Sequence, residues 1–365
     1  MSFALPSVHG EPSWSLECDR VRLHVTARGG HIAPVEFLLP DKRRFAPYSL
    51  APWTPAAHPD APPILQILRG DFFCFPFGAD DTFPSIHGAP ANAPWSRVSA
   101  EAGRLDLALD LDRPAGGRVE KTLTLRAGHS ALYQEHRISG VSGNFNYGHH
   151  PVLHIPEGET AELRTSPLRF AGVYDYPPSE ERHALAAGAR FTSLDDAPLA
   201  AGGVTSLKRY PTRPGHEDIV MLTPATTVSG LAWTALTFSR CLWVSLRNVA
   251  DFPSTLLWMS DGGRDALPWN GCHTRRIGVE DVCSHFCDGA LVSREDRLRA
   301  EGVRTSREFR ADNPVSLRHI QFVAPVPPDF GGLADVEYHA DAQAVTLHGE
   351  NGARILTPLD WNFLT

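Results

Sequence analysis

The amino-acid sequence predicts an all-β fold, formed by one large domain over residues 1–365. Most of the regular segments alternate between apolar and polar residues, which is the pattern of a half-buried strand. Turns rich in glycine and proline separate these segments, and helical periodicity is almost absent. No change of composition marks a linker, and the strands are too numerous for a simple immunoglobulin-type sandwich.

The predicted strands follow one another along most of the chain. In residues 104–111, for example, Leu105, Leu107 and Leu109 share one face, and Asp106 and Asp110 face the other way. We expect residues 228–238, 241–248 and 254–260 to be consecutive strands of one broad sheet. The other predicted strands are residues 21–26, 119–125, 133–138, 277–282, 335–338, 344–349 and 354–356.

One surface helix is predicted, at residues 291–301. Ser293 is a suitable N-cap, Asp296 lies in the first turn, and Gly302 would end the helix. We therefore expect only a few short helices between the strands.

Composition and charge exclude several classes of protein. The chain has 42% hydrophobic and 21% charged residues, so it can bury a substantial core. A net charge of −8 argues against a nucleic-acid-binding surface, which needs a basic stripe. No apolar run reaches the roughly 18 residues that a transmembrane helix requires. The first residues, MSFALPSVHGEPSW, lack the basic and apolar regions of a secretory signal, so we expect none.

The cysteines and the common cofactor motifs narrow the prediction further. Six cysteines are scattered over the chain, which is not the density of a disulfide-stabilised protein. Reduced thiols in a cytoplasmic protein are therefore expected. Neither a dinucleotide-binding glycine motif, nor a phosphate-binding loop, nor a nucleophile elbow is present. We expect no organic cofactor and no metal.

A loop that is both apolar and ionisable stands at residues 68–88, LRGDFFCFPFGADDTFPSIHG. Its glycines and prolines prevent a long helix. Its phenylalanines require a large surface to pack against, while Arg69 and His87 could either be buried and hydrogen-bonded or serve a binding site. The role of Asp80 and Asp81 stays open.

Two further segments combine histidine or carboxylate side chains with an apolar strand. Residues 147–156 contain His149, His150 and His154; on a strand, the last two would share a face and His149 would face the other way. In the predicted strand 277–282, Glu280 lies on the face opposite Asp281. A buried glutamate at such a position is either paired, for example with Arg275 or Arg276, or is a general base with a raised pKa.

Other polar groups leave alternatives open. Cys283, His285 and Cys287 would share one face of a strand, but half of a zinc site is missing. Trp269 offers a flat apolar face that suits a sugar ring, although a tryptophan is more often part of the core. The turn at residues 215–218 ends in Asp218 and is either an exposed turn or a polar site.

The order of these clusters resembles the aldose 1-epimerase, or galactose mutarotase-like, superfamily. The resemblance rests on Arg69, His87-Gly88, His149-His150-Pro151 and Gly278-Val279-Glu280. It implies a large antiparallel β-supersandwich and an isomerase that interconverts sugar anomers without a cofactor. The expected partner is a small-molecule sugar, with neither nucleic acid nor membrane involved, and the oligomeric state is not predicted.

The resemblance also implies a role for each site residue. Glu280 would take the proton of the anomeric hydroxyl and His150 would protonate the ring oxygen. Arg69, His87 and Asp218 would bind sugar hydroxyls, and Trp269, selected for its flat apolar face rather than from the resemblance, would lie beside them. Two alternatives remain: a carbohydrate-binding protein without catalysis on the same fold, and a metal-dependent sugar isomerase or lyase. The second would use His149, His150 and His154, or Cys283, His285 and Cys287.

Overall fold

The structure is a computed structural model that describes residues 5–79, 83, 85–113, 115–177, 181–227 and 229–365. Asp80, Asp81 and Val228, which the sequence analysis singled out, lie outside these residues. Within the described ranges the chain is built mainly from antiparallel strands, so the all-β prediction is confirmed. The assignment of residues 1–365 to one domain stays a prediction.

A nine-stranded sheet forms the middle of the described part of the molecule. Its strands pair in an order that brings distant parts of the chain together, with the long strand Val315–Pro325 between Cys241–Asn248 and Ala131–Ser139. The full order is Arg209–Tyr210, Ala161–Thr165, Leu231–Thr237, Cys241–Asn248, Val315–Pro325, Ala131–Ser139, Arg118–Thr124, Arg104–Asp110 and Ser96–Glu101.

An eight-stranded sheet packs against one face of the nine-stranded sheet. At its centre, strand Arg276–Cys283 pairs with Ser254–Asp261 on one side and with two short strands on the other. The order is Arg190–Phe191, Leu168–Val173, His216–Pro224, Ser254–Asp261, Arg276–Cys283, Tyr147–His149 and Phe73–Cys74, with Val152–His154 also paired to Arg276–Cys283.

Smaller sheets complete the described strands. The N-terminal sheet contains Ser7–Val8, Glu11–Glu17, Val21–Thr26, Ile32–Leu38 and Arg44–Phe45. The C-terminal sheet contains Leu333–His339, Ala344–Gly349 and Arg354–Pro358. Two isolated pairs join Gly143–Phe145 to Arg307–Phe309 and Ala197–Pro198 to Val204–Thr205.

Alternation along the strands divides the core into layers. On strand Cys241–Asn248, Trp243 faces the eight-stranded sheet, whereas Val244 and Leu246 face the C-terminal sheet. On Ser254–Asp261, Leu257 packs between the two large sheets, and Trp258 lies on the outer face of the eight-stranded sheet. The central strands of the two large sheets are therefore covered on both faces, and the outer face of the eight-stranded sheet carries the candidate site.

One predicted sheet is wrong. Strands Leu231–Thr237 and Cys241–Asn248 are neighbours in the nine-stranded sheet, as expected. The next strand, Ser254–Asp261, instead crosses to the eight-stranded sheet and pairs with His216–Pro224 and Arg276–Cys283. Apolar residues on both faces of all three strands fit either sheet, so the sequence pattern did not separate the two arrangements.

The helical prediction also needs a correction. The described α-helices are Pro63–Ile67 and Gly289–Arg294, with 3₁₀ turns at Pro55–Ala57, Ala89–Ala91, Arg299–Glu301 and Trp361–Leu364. The expected helix at 291–301 starts earlier and is interrupted. Asp288 occupies the N-cap position, while Ser293 is buried inside the helix. None of these helices is long and apolar enough to cross a membrane, within the described residues.

The backbone at Gly70 lies in close contact with the backbone at Ile32. Its φ angle of +50° lies in the left-handed region, and a Cβ atom there would lie 1.8 Å from the carbonyl oxygen of Ile32. Its N–H donates to Ser49 O (2.8 Å), and its carbonyl accepts from Val152 N (2.9 Å). This close backbone contact ties the N-terminal sheet to the start of the loop that carries Asp71 and Phe72.

We expect Gly70→Ala to destabilise the protein more than Gly128→Ala does. Both positions have positive φ, which costs an alanine about 1–2 kcal/mol. Only Gly70 also has a backbone atom within overlap distance, because nothing lies within 4 Å of a Cβ at Gly128. Urea unfolding should show an additional loss of about 1–3 kcal/mol for Gly70→Ala. Equal losses in the two variants would contradict this account.

Candidate functional site

A pocket of about 310 Å³ opens on the outer face of the eight-stranded sheet. Four of the six predicted site residues line it: His87, His150, Trp269 and Glu280. Arg264, which the sequence analysis did not select, lines it as well. Histidine and carboxylate side chains from three distant parts of the chain thus meet in one cleft.

Glu280 reaches the pocket because of strand alternation. In Arg276–Cys283, Ile277 and Val279 point into the core, so Glu280 points outward, with Leu256 as its cross-strand neighbour. Gly278 precedes it on the same face, where a Cβ would lie only 2.3 Å from Glu280 Oε1. The glycine therefore leaves the space that the glutamate side chain occupies.

His150 faces Glu280 across a short gap. It follows strand Tyr147–His149, and its N–H donates to Asp71 Oδ1 (3.0 Å). Its ring stacks on Phe72 with the ring centres 4.5 Å apart. Its Nε2 lies 3.3 Å from Glu280 Oε1, while its Nδ1 has no hydrogen-bond partner among the described residues. Of the two alternatives left open for Glu280, pairing with Arg275 or Arg276 does not occur, because both guanidinium groups bind carbonyl oxygens elsewhere.

Burial shifts both groups of this pair towards their neutral forms. It raises the pKa of Glu280 well above its ordinary value, and the charge of Arg264 opposes this shift. Burial also lowers the pKa of His150 to about 4. A protonated carboxyl and a neutral imidazole are the forms that a low-dielectric site favours. Glu280 Oε1, like His150 Nδ1, has no hydrogen-bond partner among the described residues, which leaves both atoms free to bind a ligand.

His87 presents a hydrogen-bond donor rather than a charge. The N–H of Gly78 donates to His87 Nδ1 (3.1 Å), so the neutral ring carries its proton on Nε2. Burial lowers the pKa of His87 well below its ordinary value, and His150 and His31 add to this effect. The ring centres of His87 and His150 are 4.9 Å apart.

Arg264 and two tryptophans form another part of the pocket. The guanidinium group of Arg264 lies 4.8 Å from the ring centre of Trp269 and 5.2 Å from that of Trp258. Its Nε lies 2.9 Å from Glu181 Oε1 and 3.7 Å from Glu217 Oε2. One feature of the sequence could have indicated Arg264: it ends a Gly-Gly-Arg turn that lies just after the predicted strand 254–260 and shortly before Trp269.

The structure does not bring Arg69 or Asp218 to the pocket lining. The guanidinium group of Arg69 donates to the carbonyl oxygens of Val8 (2.9 Å), His9 (3.1 Å) and Ile67 (3.1 Å). Asp218 Oδ1 accepts the N–H groups of Ala184 and Leu185, both at 3.0 Å. Both side chains are buried and hold loops in place, so we assign them no contact with a sugar.

The two predicted metal-ligand sets are not assembled as expected. Strand Arg276–Cys283 ends at Cys283, so Cys283, His285 and Cys287 do not share a strand face. His285 Nδ1 instead pairs with Asp288 (2.8 Å). In the other set, His149 points between the sheets and His150 into the pocket. His154 is half-buried at the end of strand Val152–His154.

Behind the pocket, buried polar side chains connect the two large sheets. Asp71 Oδ2 accepts the amides of Gln134 (2.6 Å) and Gln321 (2.7 Å) and pairs with His149 Nδ1 (3.2 Å). The ring of His149 stacks on His319 with the ring centres 4.2 Å apart. We call this group and its continuation through Asp281 the intersheet polar network.

Asp281 forms the other end of the intersheet polar network. Its Oδ2 accepts from His319 Nε2 (2.8 Å) and from the hydroxyl of Ser245, and its Oδ1 accepts from Thr255 (2.5 Å). Arg247 Nη1 lies 3.0 Å from Oδ1. Burial alone would raise the pKa of Asp281, but Arg247, His319 and Ser245 lower it to about 2.

Asp71, His149 and His319 also place potential metal ligands within 4.8 Å of one another. Hydrogen bonds already use these groups, since Asp71 Oδ2 faces two amides and His319 Nε2 faces Asp281. Burial would raise the pKa of Asp71, but the charge and hydrogen bond of His149, with His319 and Gln134, hold it below its ordinary value. We read the cluster as a polar support of the site.

Comparisons with known proteins agree with this architecture. No protein-family model matches the sequence, and no curated protein matches it. The galactose mutarotase related enzyme from Lactobacillus acidophilus is 12% identical, with a TM-score of 0.55 over 86% of this chain and 98% of that chain. The GalM/aldose epimerase homologue from C. elegans is 11% identical, with a TM-score of 0.58 over 86% and 99%.

A third solved structure gives the same result. The galactose mutarotase-like protein from Lactobacillus casei is 14% identical, with a TM-score of 0.55 over 86% of this chain and all (100%) of that chain. At these identities the likeness concerns the fold. The chain has the galactose mutarotase-like all-β fold, and the resemblance drawn from short motifs is confirmed at that level.

We expect Asp281→Asn to destabilise the fold strongly. The substitution removes the charge that compensates buried Arg247, and breaking a buried ion pair costs about 3–5 kcal/mol. Asp110→Asn is the matched control, because Asp110 pairs with Arg118 at the exposed surface, where a pair contributes about 0–1 kcal/mol. Chemical unfolding of both variants measures the difference, and a loss below 1 kcal/mol for Asp281→Asn would refute the role of the network.

We expect Glu280→Gln to stabilise the folded protein increasingly as the pH rises. From its ordinary value of 4.5 up to the raised pKa, the folded protein keeps a proton that the unfolded chain releases. The free energy of unfolding of the wild type therefore falls through this window, by up to about 1.4 kcal/mol per pH unit for this group. Glutamine removes that slope.

The effect is measured by comparing the free energy of unfolding of wild type and Glu280→Gln at pH values from 5 to 9. Steps of about 0.5 pH unit resolve the slope. Glu101→Gln, at an exposed position on an edge strand, serves as the control. A stability difference between Glu280→Gln and wild type that does not change with pH would show that burial does not raise the pKa of Glu280.

Proposed function

We propose that this chain binds an aldose and interconverts its two anomers, as an aldose 1-epimerase-like isomerase. The observation that carries the proposal is the contact of His150 with Glu280, 3.3 Å apart in a pocket that also presents His87. General acid–base chemistry needs two such groups within hydrogen-bond reach of the reacting atoms.

The reaction needs one proton donor and one proton acceptor. The base takes the proton of the anomeric hydroxyl while the acid gives a proton to the ring oxygen, and the bond between C1 and the ring oxygen breaks. Rotation about the bond from C1 to C2 exposes the other face of the carbonyl, and the reverse transfers close the ring. Both reacting oxygens are attached to C1, so two groups in mutual contact are close enough to serve both.

One shared proton makes the pair competent for either role. With the proton on His150, Glu280 is the base and His150 the acid, as the resemblance implies. With the proton on Glu280, which burial favours, the roles are exchanged. His150 Nε2 and Glu280 Oε1 lie 3.3 Å apart without being aligned in a hydrogen bond, so in this proposal the protons are exchanged with the oxygens of the bound sugar. In this proposal neither transfer uses a metal or an organic cofactor.

Other parts of the pocket would orient the sugar. The Nε2–H of His87 is available to a hydroxyl or to the ring oxygen, and the face of Trp269 suits the C–H face of a pyranose ring. The names of the solved structures with this fold, a galactose mutarotase related enzyme and an aldose epimerase homologue, support the same class of reaction.

Removal of either member of the pair should abolish most of the activity. We expect Glu280→Gln and His150→Gln each to lower kcat by on the order of 10²–10⁴, because each removes one proton transfer. His154→Gln, on the same segment but outside the pocket lining, should retain activity. Polarimetry of freshly dissolved α-anomers from a panel of aldoses measures the rate.

The alternative functions give different results in the same experiment. A carbohydrate-binding protein without catalysis would bind an aldose but would not accelerate mutarotation. A metal-dependent isomerase would lose activity on chelation and would contain stoichiometric metal by elemental analysis. Acceleration that survives both Glu280→Gln and His150→Gln would remove these residues from the mechanism.

A further inference from the structure

The pocket lining combines a group of ionisable side chains, which we call the polar end, with a larger set of aliphatic side chains. His87, His150 and Glu280 meet at the polar end, where the proposed reaction takes place. Six other lining side chains, which we call the aliphatic wall, are Ile64, Leu65, Leu68, Ile86, Ile219 and Leu256, and of these Ile86 adjoins His87 and Leu256 adjoins Glu280. None of these side chains can accept or donate a hydrogen bond.

Arg264 does not turn this wall into a site for an anion. Its guanidinium group lies beside the carboxylates of Glu181 and Glu217 and stacks near Trp258 and Trp269. Glu217 Oε2 also accepts from the indole of Trp258 (2.9 Å). Burial raises the pKa of Glu217 to about 7, so Glu181, 2.9 Å from Arg264 Nε, is the nearer carboxylate partner, and the substrate need not supply a phosphate or carboxylate.

We propose that the preferred substrate is a hydroxyl-poor aldose, namely a deoxy sugar whose C–H flank packs against the aliphatic wall. This inference rests on the proposed function, because the polar end fixes the anomeric carbon. Besides its anomeric hydroxyl, a fully hydroxylated hexose carries hydroxyls on most of the remaining ring carbons. Burying these hydroxyls against aliphatic side chains leaves them without hydrogen-bond partners. Replacing such a hydroxyl by hydrogen removes that penalty and strengthens apolar contact.

Pairs of sugars that differ by one hydroxyl test the inference directly. The probes are D-fucose against D-galactose, and 2-deoxy-D-glucose and 6-deoxy-D-glucose against D-glucose. A single apolar group in a hydrophobic pocket changes kcat/KM by roughly 10–200-fold. We expect at least one deoxy sugar to exceed its parent by about tenfold or more.

Variants of the wall provide a second measurement. Ile86 lines the pocket but is 41% exposed, so Ile86→Asn should fold normally while placing an amide against the sugar. We expect this variant to lower the ratio of kcat/KM for deoxy sugar over parent severalfold, relative to wild type. Val98→Asn is the matched control, since Val98 is 61% exposed on strand Ser96–Glu101 and does not line the pocket.

The outcomes separate this inference from the proposed function. Acceleration of the parent hexoses equal to or above that of every deoxy sugar overturns the substrate class and leaves the isomerase proposal standing. If no aldose is accelerated, the isomerase proposal fails, and calorimetric binding of the same pairs decides the substrate class. Tighter binding of a deoxy sugar then supports it, while equal binding, or none, overturns it.

Discussion

The intersheet polar network is the constraint on which the rest of the structure depends. Charged groups buried between two sheets are costly unless each has a partner, so the sheets must pack in the one register that pairs them. Asp281 belongs to the eight-stranded sheet, and its partners Ser245, Arg247 and His319 belong to the nine-stranded sheet. Asp71 makes the equivalent connection through Gln134 and Gln321. Hydrophobic contacts alone would tolerate a small shift of one sheet against the other. The same shift would break the hydrogen bonds of the intersheet polar network.

The network also determines where the candidate site lies, because each of its key members precedes or follows a pocket residue in sequence. His149 faces the network and His150 faces the pocket. Asp281 faces the network and Glu280 faces the pocket. The two carboxylates have opposite environments: partners lower the pKa of Asp281 to about 2, and burial without a comparable partner raises that of Glu280. The network thus holds His149 and Asp281 in place, and this fixes their chain neighbours His150 and Glu280 on the pocket side. Asp71 links both sides, because it also accepts the backbone N–H of His150.

Much of the fold and part of the site could be predicted from sequence. Strands 21–26, 241–248 and 344–349 have the expected bounds, because period-two patterning reports directly on burial of one face. His87, His150, Trp269 and Glu280 meet as expected. Arg69 and Asp218 do not reach the pocket. The sequence could not show this, because the local sequence around each residue is the same whether its side chain binds a ligand or loop backbone. Arg264 and Trp258 were missed because their role depends on the pairing of strand Ser254–Asp261 with Arg276–Cys283.

The sequence by itself therefore determined the all-β class, the faces of its strands and the opposite orientation of Glu280 and Asp281. These are local properties, governed by the alternation of side chains along a strand. Only the tertiary structure decided which sheet each strand joins, which buried polar groups pair, and that aliphatic side chains from separate segments form one wall of the pocket. Those features depend on contacts between residues far apart in the chain. Several pairings satisfy the same local pattern, and the packed arrangement selects one of them.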